Sequence, residues 1–494
     1  MGPGWALPRY GLLSARGFPR GVFGRLALLG ARWVCQHPRN MAFLSSASAS
    51  VLVSAFGRWR RAIARLAAGI CRLLLSILFT VSAACSRPRV PLPVLPSPSP
   101  ALRDTRQSDA PVAPVASVPR TMTLPSAGGD APALVLAAGG DVNLGRGCGQ
   151  RLLSDPDYDP FRGIARVWAD ADLRFVNLEA GLSEQHGETQ SPHHRLVFTG
   201  PPSGAEALFR ARVGLVSTAN NHAWDYARRG LFETLENLDR VGIAHAGTGR
   251  DEDAAYRPAI VHVNGLTVSF FAVTQVWNLG VFSEEDARHY VAWADLSRAS
   301  RPSRLADALT RARAESDFVV LSYHGGEEYL DAPVPKTRDF VAEVMSLGVD
   351  VVIGHHPHVP QGVGWYGARP VFYSLGNLVF DARQDLPWTR SSFIARVRLQ
   401  RGVPIQVSAC PYTIDGFEPM ALPAAENEPG RAFERHLRAT SASVGGTSVG
   451  ERDGLGCIRL APLEQPGASE PTRLVRPLRD LPRVDRGSAR LDLR

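Results

Sequence analysis

The sequence predicts an α/β domain, and two observations carry that prediction. Apolar runs of strand length alternate with helical periodicity through the middle of the chain. Each of those central runs also ends in a residue able to hold a metal or move a proton, at the carboxyl end where open α/β sheets place their ligands.

The elements follow in chain order. Leu134–Ala138 runs into Gly139, Gly140, Asp141 and Asn143, Phe175–Leu178 runs into Glu179, and Val213–Ser217 runs into Asn220, Asn221 and His222. A helix is predicted over Arg228–Val241, because Leu231, Leu235 and Leu238 recur at helical spacing and Gly242 stops it. Ile260–Val263 and Leu266–Val273 flank Asn264-Gly265, a dipeptide suited to a type I′ turn, which predicts a hairpin. Helices are predicted over Ser303–Glu315 and Thr337–Leu347, with the strand Phe318–Leu321 between them leading to Tyr323 and His324. Val349–Ile353 then enters Gly354-His355-His356-Pro357-His358. Arg369–Leu375, Phe393–Leu399 and Ile405–Ile414 read as strands, and Arg431–Thr440 as a closing helix. Ser441–Gly450 reads as flexible and residues 426–494 as a poorly structured tail.

The histidine-rich segment carries the most chemical information. Neutral imidazole is the commonest protein ligand for a transition metal. In an extended segment residues i and i+2 point the same way, so His356 and His358 are expected to converge on one centre. His355 is expected to face elsewhere and to tolerate substitution. The glycines around Arg146 (Gly145, Gly147, Gly149) are wrongly spaced for a dinucleotide fingerprint and leave room for a ligand or form a plain loop.

Charge separates the leader from the rest. The chain is formally +8, but residues 1–85 hold eleven arginines and no acid, which leaves 86–494 at −3. No basic stripe with interleaved aromatics is visible, so a nucleic-acid partner is not expected. Arg58, Arg60, Arg61, Arg65 and Arg72 precede the apolar stretch Leu73–Ala84, which has the length of a signal core and is short of the ~20 residues of a spanning helix. Ser82-Ala83-Ala84-Cys85 resembles a lipoprotein cleavage box, so export and a lipid anchor at Cys85 are expected. Residues 86–131 are proline-rich and read as a solvated tether, followed by one domain over 132–425. Of the remaining cysteines, Cys410 and Cys457 can pair in an oxidising compartment or stay unpaired, and Cys148 has no base beside it in sequence.

The series GDVNLGR (Asp141 to Arg146), FVNLE (to Glu179), TANNHAWDY (Asn221, His222, Asp225), SYHGGEEY (His324, Glu328), GHHPHVPQG (His356, His358) and YSLGNLVFD (Asn377) resembles the bacterial capsule-synthesis CapA, or poly-γ-glutamate biosynthesis, family over residues 132–416. That family is similar in turn to the calcineurin-like metallophosphoesterases. The resemblance implies a four-layer α/β/β/α sandwich with two mixed sheets. It implies a divalent metal, Mn, Zn or Fe, as one ion or two, held by Asp141, Glu179, Asn221, His324, His356 and His358, with His222 as proton donor or transition-state stabiliser. Arg146, Asn143, Glu328 and Asn377 are the expected substrate contacts, Arg146 because a guanidinium fork matches carboxylates. Two departures from the phosphoesterase pattern stand out: Asn143 replaces its usual His, which would weaken one metal site, and Glu179 replaces its usual bridging Asp. Gly325 stands where relatives often carry an aromatic residue. The implied function is a membrane-tethered, extracytoplasmic protein of capsule or poly-γ-glutamate biosynthesis or export, handling an anionic polymer alongside membrane polymer synthetase subunits. The alternatives are a metal-dependent phosphoesterase and a non-catalytic polymer-binding scaffold.

Overall fold

The computed structural model describes residues 121–124, 132–278, 284–295, 303–382, 385–422 and 428–463. The leader, Cys85 and nearly all of the proline-rich segment lie outside the described residues.

Two mixed sheets organise these residues. The first runs in the order β1 (Thr121–Thr123), β8 (Ala259–Val263), β9 (Leu266–Thr274), β10 (Phe318–His324), β11 (Val351–His355), β13 (Arg369–Phe372), β12 (Val363–Tyr366). The second runs β18 (Thr447–Arg452), β19 (Ile458–Pro462), β16 (Gln406–Asp415), β15 (Ser391–Gln400), β2 (Ala133–Val142), β3 (Leu173–Leu178), β6 (Leu215–Ser217), β7 (Ala244–Ala246). β14 (Asn377–Val379) joins β2, β17 (Glu418–Ala421) joins β16, and β4 (Gly181–Leu182) with β5 (Thr199–Gly200) forms a small ribbon. The parallel blocks β9-β10-β11-β13 and β2-β3-β6-β7 bring strand carboxyl ends together.

Side-chain parity explains the layers. Leu136 and Phe175 of the second sheet share one core with Phe270, Val320 and Ile353 of the first, and Phe175 stacks on Phe270 with ring centroids 6.4 Å apart. Their neighbours in sequence face outward. Phe271, Val319 and Leu321 pack under α6 (Arg304–Glu315) and α7 (Pro335–Ser346). Ala137, Val176 and Val216 pack with Leu152 of α1 (Arg146–Ser154), Leu208 of α2 (Ser203–Arg210) and Leu238 of α3 (Ala227–Val241). The result is the expected helix, sheet, sheet, helix order, each fully buried Leu or Phe contributing about 1.5–3 kcal/mol. Two short helices, α4 (Glu252–Ala255) and α5 (Glu284–Arg288), lie between β7 and α6 in sequence.

Local signals hold where they were strongest. α3 ends at Gly242 in the left-handed conformation at φ 77°, and Asn264 and Gly265 have φ of 48° and 75°, the twin positive values of a type I′ turn.

The ends of the domain depart from expectation. Thr121–Thr123, inside the expected tether, pairs in parallel with β8. Residues after 425 are not a loose tail up to 463: α8 (Glu428–Ala442) packs Phe433 and Leu437 into the inter-sheet core, and the expected flexible segment runs into β18, which with β19 extends the second sheet. β18 escaped notice because only Val449 of its six residues is buried, so it shows no apolar alternation. A Cys410–Cys457 disulfide ties these strands to β16.

Candidate metal centre

The centre forms where the carboxyl ends of the two sheets meet. The β2 strand delivers Asp141 after a register shift at Gly139 and Gly140, and a Cβ on Gly140 would lie 2.0 Å from the Gly376 carbonyl oxygen, so only glycine admits that close approach. Glu179 follows β3, its N–H donating to the Val142 carbonyl at 2.8 Å. Asn221 and His222 lie in the turn after β6, and His324 ends β10 in register with His355 at the end of β11.

His356 and His358 converge, but not by strand alternation. The β11 strand stops at His355, and His356 and His358 both take positive φ, 97° and 57°. Such conformations cost about 1–3 kcal/mol each and persist where surrounding contacts over-determine them. Those contacts exist. The His356 N–H donates to Asp141 Oδ2 at 3.3 Å, and His358 Nδ1 donates to Asn377 Oδ1 at 2.9 Å.

Glu179 is the focus of the cluster. It is fully buried, and neither carboxylate oxygen has a hydrogen-bond partner. Its Oε1 lies 3.8 Å from His324 Nε2, 3.8 Å from His358 Nε2 and 3.9 Å from His222 Nε2. Those separations are too long for hydrogen bonds, yet donors sharing one ion at about 2.1 Å stand roughly 3–4 Å apart. A buried carboxylate without donors, facing imidazole nitrogens, fits a cation. Two overlapping groups bring ligand atoms within 4.8 Å of one another: Glu179, His356 and His358, and Asp141, Glu179 and His324. Asn221 Oδ1 stands 2.8 Å from His324 Nε2, beside the second group.

The two carboxyls diverge. Burial pushes Glu179 well above the usual carboxylate range. Burial also pushes Asp141 upward, but the imidazoles of His355 and His358 outweigh it and hold it well below that range. Burial opposes protonation of His358, and the facing carboxylates of Glu179 and Asp141 raise it to about 9 in spite of that, whereas burial and neighbouring imidazoles push His324 well below the usual histidine value.

The remaining expected residues divide. His222 lies at the centre, its Nδ1 2.8 Å from Asp225 Oδ2, which leaves Nε2 directed inward. Asp225 is itself held by Asn278 Nδ2 at 2.8 Å and by the Phe198 N–H at 3.0 Å. Arg146 lies over the Phe198 ring, 4.4 Å from its centroid, with Nε buried and unpartnered, and burial lowers its pKa against the pull of Asp381 and Glu179. Glu328 is exposed and acts on Glu179 and His358 only through its charge. Asn143 is buried with Oδ1 accepting from the Gly145 N–H at 2.8 Å and Nδ2 unpartnered. Asn377 does not offer its amide nitrogen to a substrate. Its Nδ2 donates to the His358 and Thr389 carbonyls at 3.2 and 3.0 Å and its Oδ1 meets His358, so both donors are committed and the oxygen fixes that ring. Nor does His355 face elsewhere. It is fully buried with Nδ1 3.1 Å from Asp141 Oδ1, because the last strand residue points under the site while the turn beyond carries its neighbours over it.

Sequence reasoning missed Phe198 and Asn177. Phe198 lies 4.0 Å from the His222 ring, centroid to centroid, and arrives on the β4-β5 loop, which has no distinctive pattern. Asn177 donates to Asp141 Oδ1 at 2.9 Å and stands 3.1 Å from His324 Nδ1, and its inclusion in FVNLE was the available signal. An aromatic side chain at Gly325 would collide with Tyr323, whose Oη lies 2.5 Å from the Cβ position.

Comparison with known proteins accords with this geometry. The family model "Bacterial capsule synthesis protein PGA_cap" matches residues 135–382, half of the chain. The chain is 28% identical over 268 residues to the PGA biosynthesis protein CapA of Bacillus subtilis, covering 53% of this chain and 67% of that one. It is 24% identical over 313 residues to the Capsule biosynthesis protein CapA of Bacillus anthracis, covering 62% and 74%. A "Probable polyglutamine synthesis accessory protein" of Mycobacterium tuberculosis is 26% identical over 291 residues, covering 51% and 76%. On the family match, with its strand-end series intact on a metallophosphoesterase-like fold, the chain belongs to the bacterial capsule synthesis protein family.

Proposed function

We propose that this chain is a cell-envelope protein of capsule or poly-γ-glutamate biosynthesis or export whose metal centre handles an anionic polymer. The names of its relatives support the pathway. The observation that carries the site is the buried, donor-free Glu179 carboxylate ringed by imidazole Nε2 atoms. Asp141, Glu179, Asn221, His324, His356 and His358 would hold one or two divalent ions, Mn, Zn or Fe. Such an ion supplies Lewis-acid polarisation of a carbonyl or phosphoryl oxygen.

The chain's own residues do the rest. Arg146, desolvated against Phe198 and within electrostatic reach of Asp381 and Glu179, offers a cation to a carboxylate or phosphate entering beside the centre. Asn143 Nδ2 offers a buried donor. The signal-like leader, the acylatable Cys85 and the proline-rich stretch would tether the domain at a membrane surface near polymer synthetase subunits.

The His222–Asp225 pair favours a second reading, a metal-dependent phosphoesterase. A carboxylate on Nδ1 orients the ring so that Nε2 can pass a proton to a leaving oxygen. If no turnover occurs, the same cluster is a polymer-binding scaffold.

One experiment separates these readings. The full-length chain, supplied with manganese or zinc, is tested for binding of poly-γ-glutamate and for turnover of aryl phosphates and γ-glutamyl amides. The polymer reading predicts salt-dependent binding that Arg146→Ala weakens, and equal binding by Arg146→Ala would contradict it. The phosphoesterase reading predicts aryl phosphate turnover that falls by roughly 10²–10⁴ in His222→Ala with metal retained.

A further inference from the structure

We infer that the centre holds two cations of unequal strength, tight at Glu179, His356 and His358 and weak at Asp141, Glu179 and His324, because two buried asparagines turn opposite ends of their amides toward the two histidines. The inference rests on the reading of this cluster as a cation site.

Asn377 is fixed by what its nitrogen can reach. Nδ2 donates to the carbonyl oxygens of His358 and Thr389 at 3.2 and 3.0 Å, and carbonyls only accept, so Oδ1 is the end that faces His358 Nδ1 at 2.9 Å. His358 Nδ1 must therefore carry the hydrogen. In the neutral ring its Nε2 then keeps a lone pair on the side of Glu179.

Asn177 is fixed the other way. Its Nδ2 donates to Asp141 Oδ1 at 2.9 Å, its Oδ1 faces the Asn220 Nδ2 at 3.4 Å, and that Asn220 nitrogen also donates to the Leu178 carbonyl at 2.8 Å. A carboxylate accepts at one end and an amide donates at the other, so the amide cannot turn over. The same Asn177 nitrogen lies 3.1 Å from His324 Nδ1, which must accept. A neutral imidazole has one hydrogen. It then sits on His324 Nε2, where Asn221 Oδ1 takes it at 2.8 Å.

With both rings neutral, a cation therefore meets a prepared nitrogen at His358 and an occupied one at His324. To engage His324 it must drive the hydrogen to the other ring nitrogen and break the Asn177 contact. Partners of the ring nitrogen away from a metal commonly change affinity by about 10–100-fold. Asn143 does not compensate, since its oxygen is held by the Gly145 N–H.

The test is to strip the full-length chain with chelator, titrate it with manganese alone, and count the metal left after dialysis. One retained ion per chain is expected, with a second binding at least tenfold more weakly. His358→Ala should lose the retained ion and His324→Ala should keep it. Asn177→Asp, whose carboxylate accepts from His324 Nδ1 and turns Nε2 toward the cation, should tighten the second ion. Two ions of equal strength in the unaltered chain, or loss of the retained ion in His324→Ala, overturns the inference and leaves the cation reading standing. No bound ion in the unaltered chain overturns both. The unaltered chain decides by its two affinities alone if a variant fails to fold.

Discussion

The β10 and β11 strands lie side by side in one sheet, and their last residues, His324 and His355, are register partners. Their ends are nonetheless prepared differently. β10 stops at His324, whose ring is clamped between Asn177 and Asn221 on both nitrogens. β11 continues into a turn with two left-handed histidines, one of them held from behind by Asn377 with its other nitrogen directed to Glu179. Equivalent positions in a sheet therefore do not make equivalent ligands. What decides is which atom of a neighbouring amide faces the ring, and whether that amide is free to turn.

Altering the amides should break this comparison. Asn377→Ala removes the acceptor that keeps the hydrogen on His358 Nδ1, so affinity for the tight ion should fall by about 10–100-fold while the weak ion is unaffected. Calorimetric titration with manganese checks it, and a fall of less than about threefold means Asn377 does not position His358.

A smaller effect should come from pH. His358 is raised to about 9 by Glu179 and Asp141, so below that pH a bound ion must displace a proton from its Nε2. His324 is pushed well below the usual histidine value and carries no such proton at neutral pH. The tight-to-weak affinity ratio should therefore widen by up to about tenfold per unit between pH 7 and pH 9 and level off above. In the metal-free protein the sign is reversed: the raised His358 contributes stability that is complete below its unfolded value and is lost as pH rises through about 9. A ratio that stays constant across the window removes His358 from the tight position.

The strand ends were legible in the sequence because each candidate follows an apolar run directly, and the sheet then has no choice but to gather them. Asp141, Glu179, Asn221, His222, His324, His356 and His358 do come together. The geometry within the cluster was not legible. Alternation along a strand suggested that His356 and His358 share a face and that His355 is idle, but the strand ends one residue earlier and the backbone turns left-handed, which puts His355 beneath Asp141. Asn377 reads in sequence as a substrate contact, since nothing local tells that its amide is consumed by two carbonyls and a ring. Phe198 comes from a loop without periodicity, and β18 is an edge strand whose single buried apolar residue hides its pairing.

The central claim is that the two histidines carry their hydrogens on opposite nitrogens, and ¹⁵N NMR of the histidine-labelled full-length chain with one equivalent of zinc reads this directly. The account predicts zinc on His358 Nε2 with its hydrogen on Nδ1, and a hydrogen on His324 Nε2 with Nδ1 bare. Zinc on His324 Nε2 at one equivalent, with the hydrogen on its Nδ1, would contradict it.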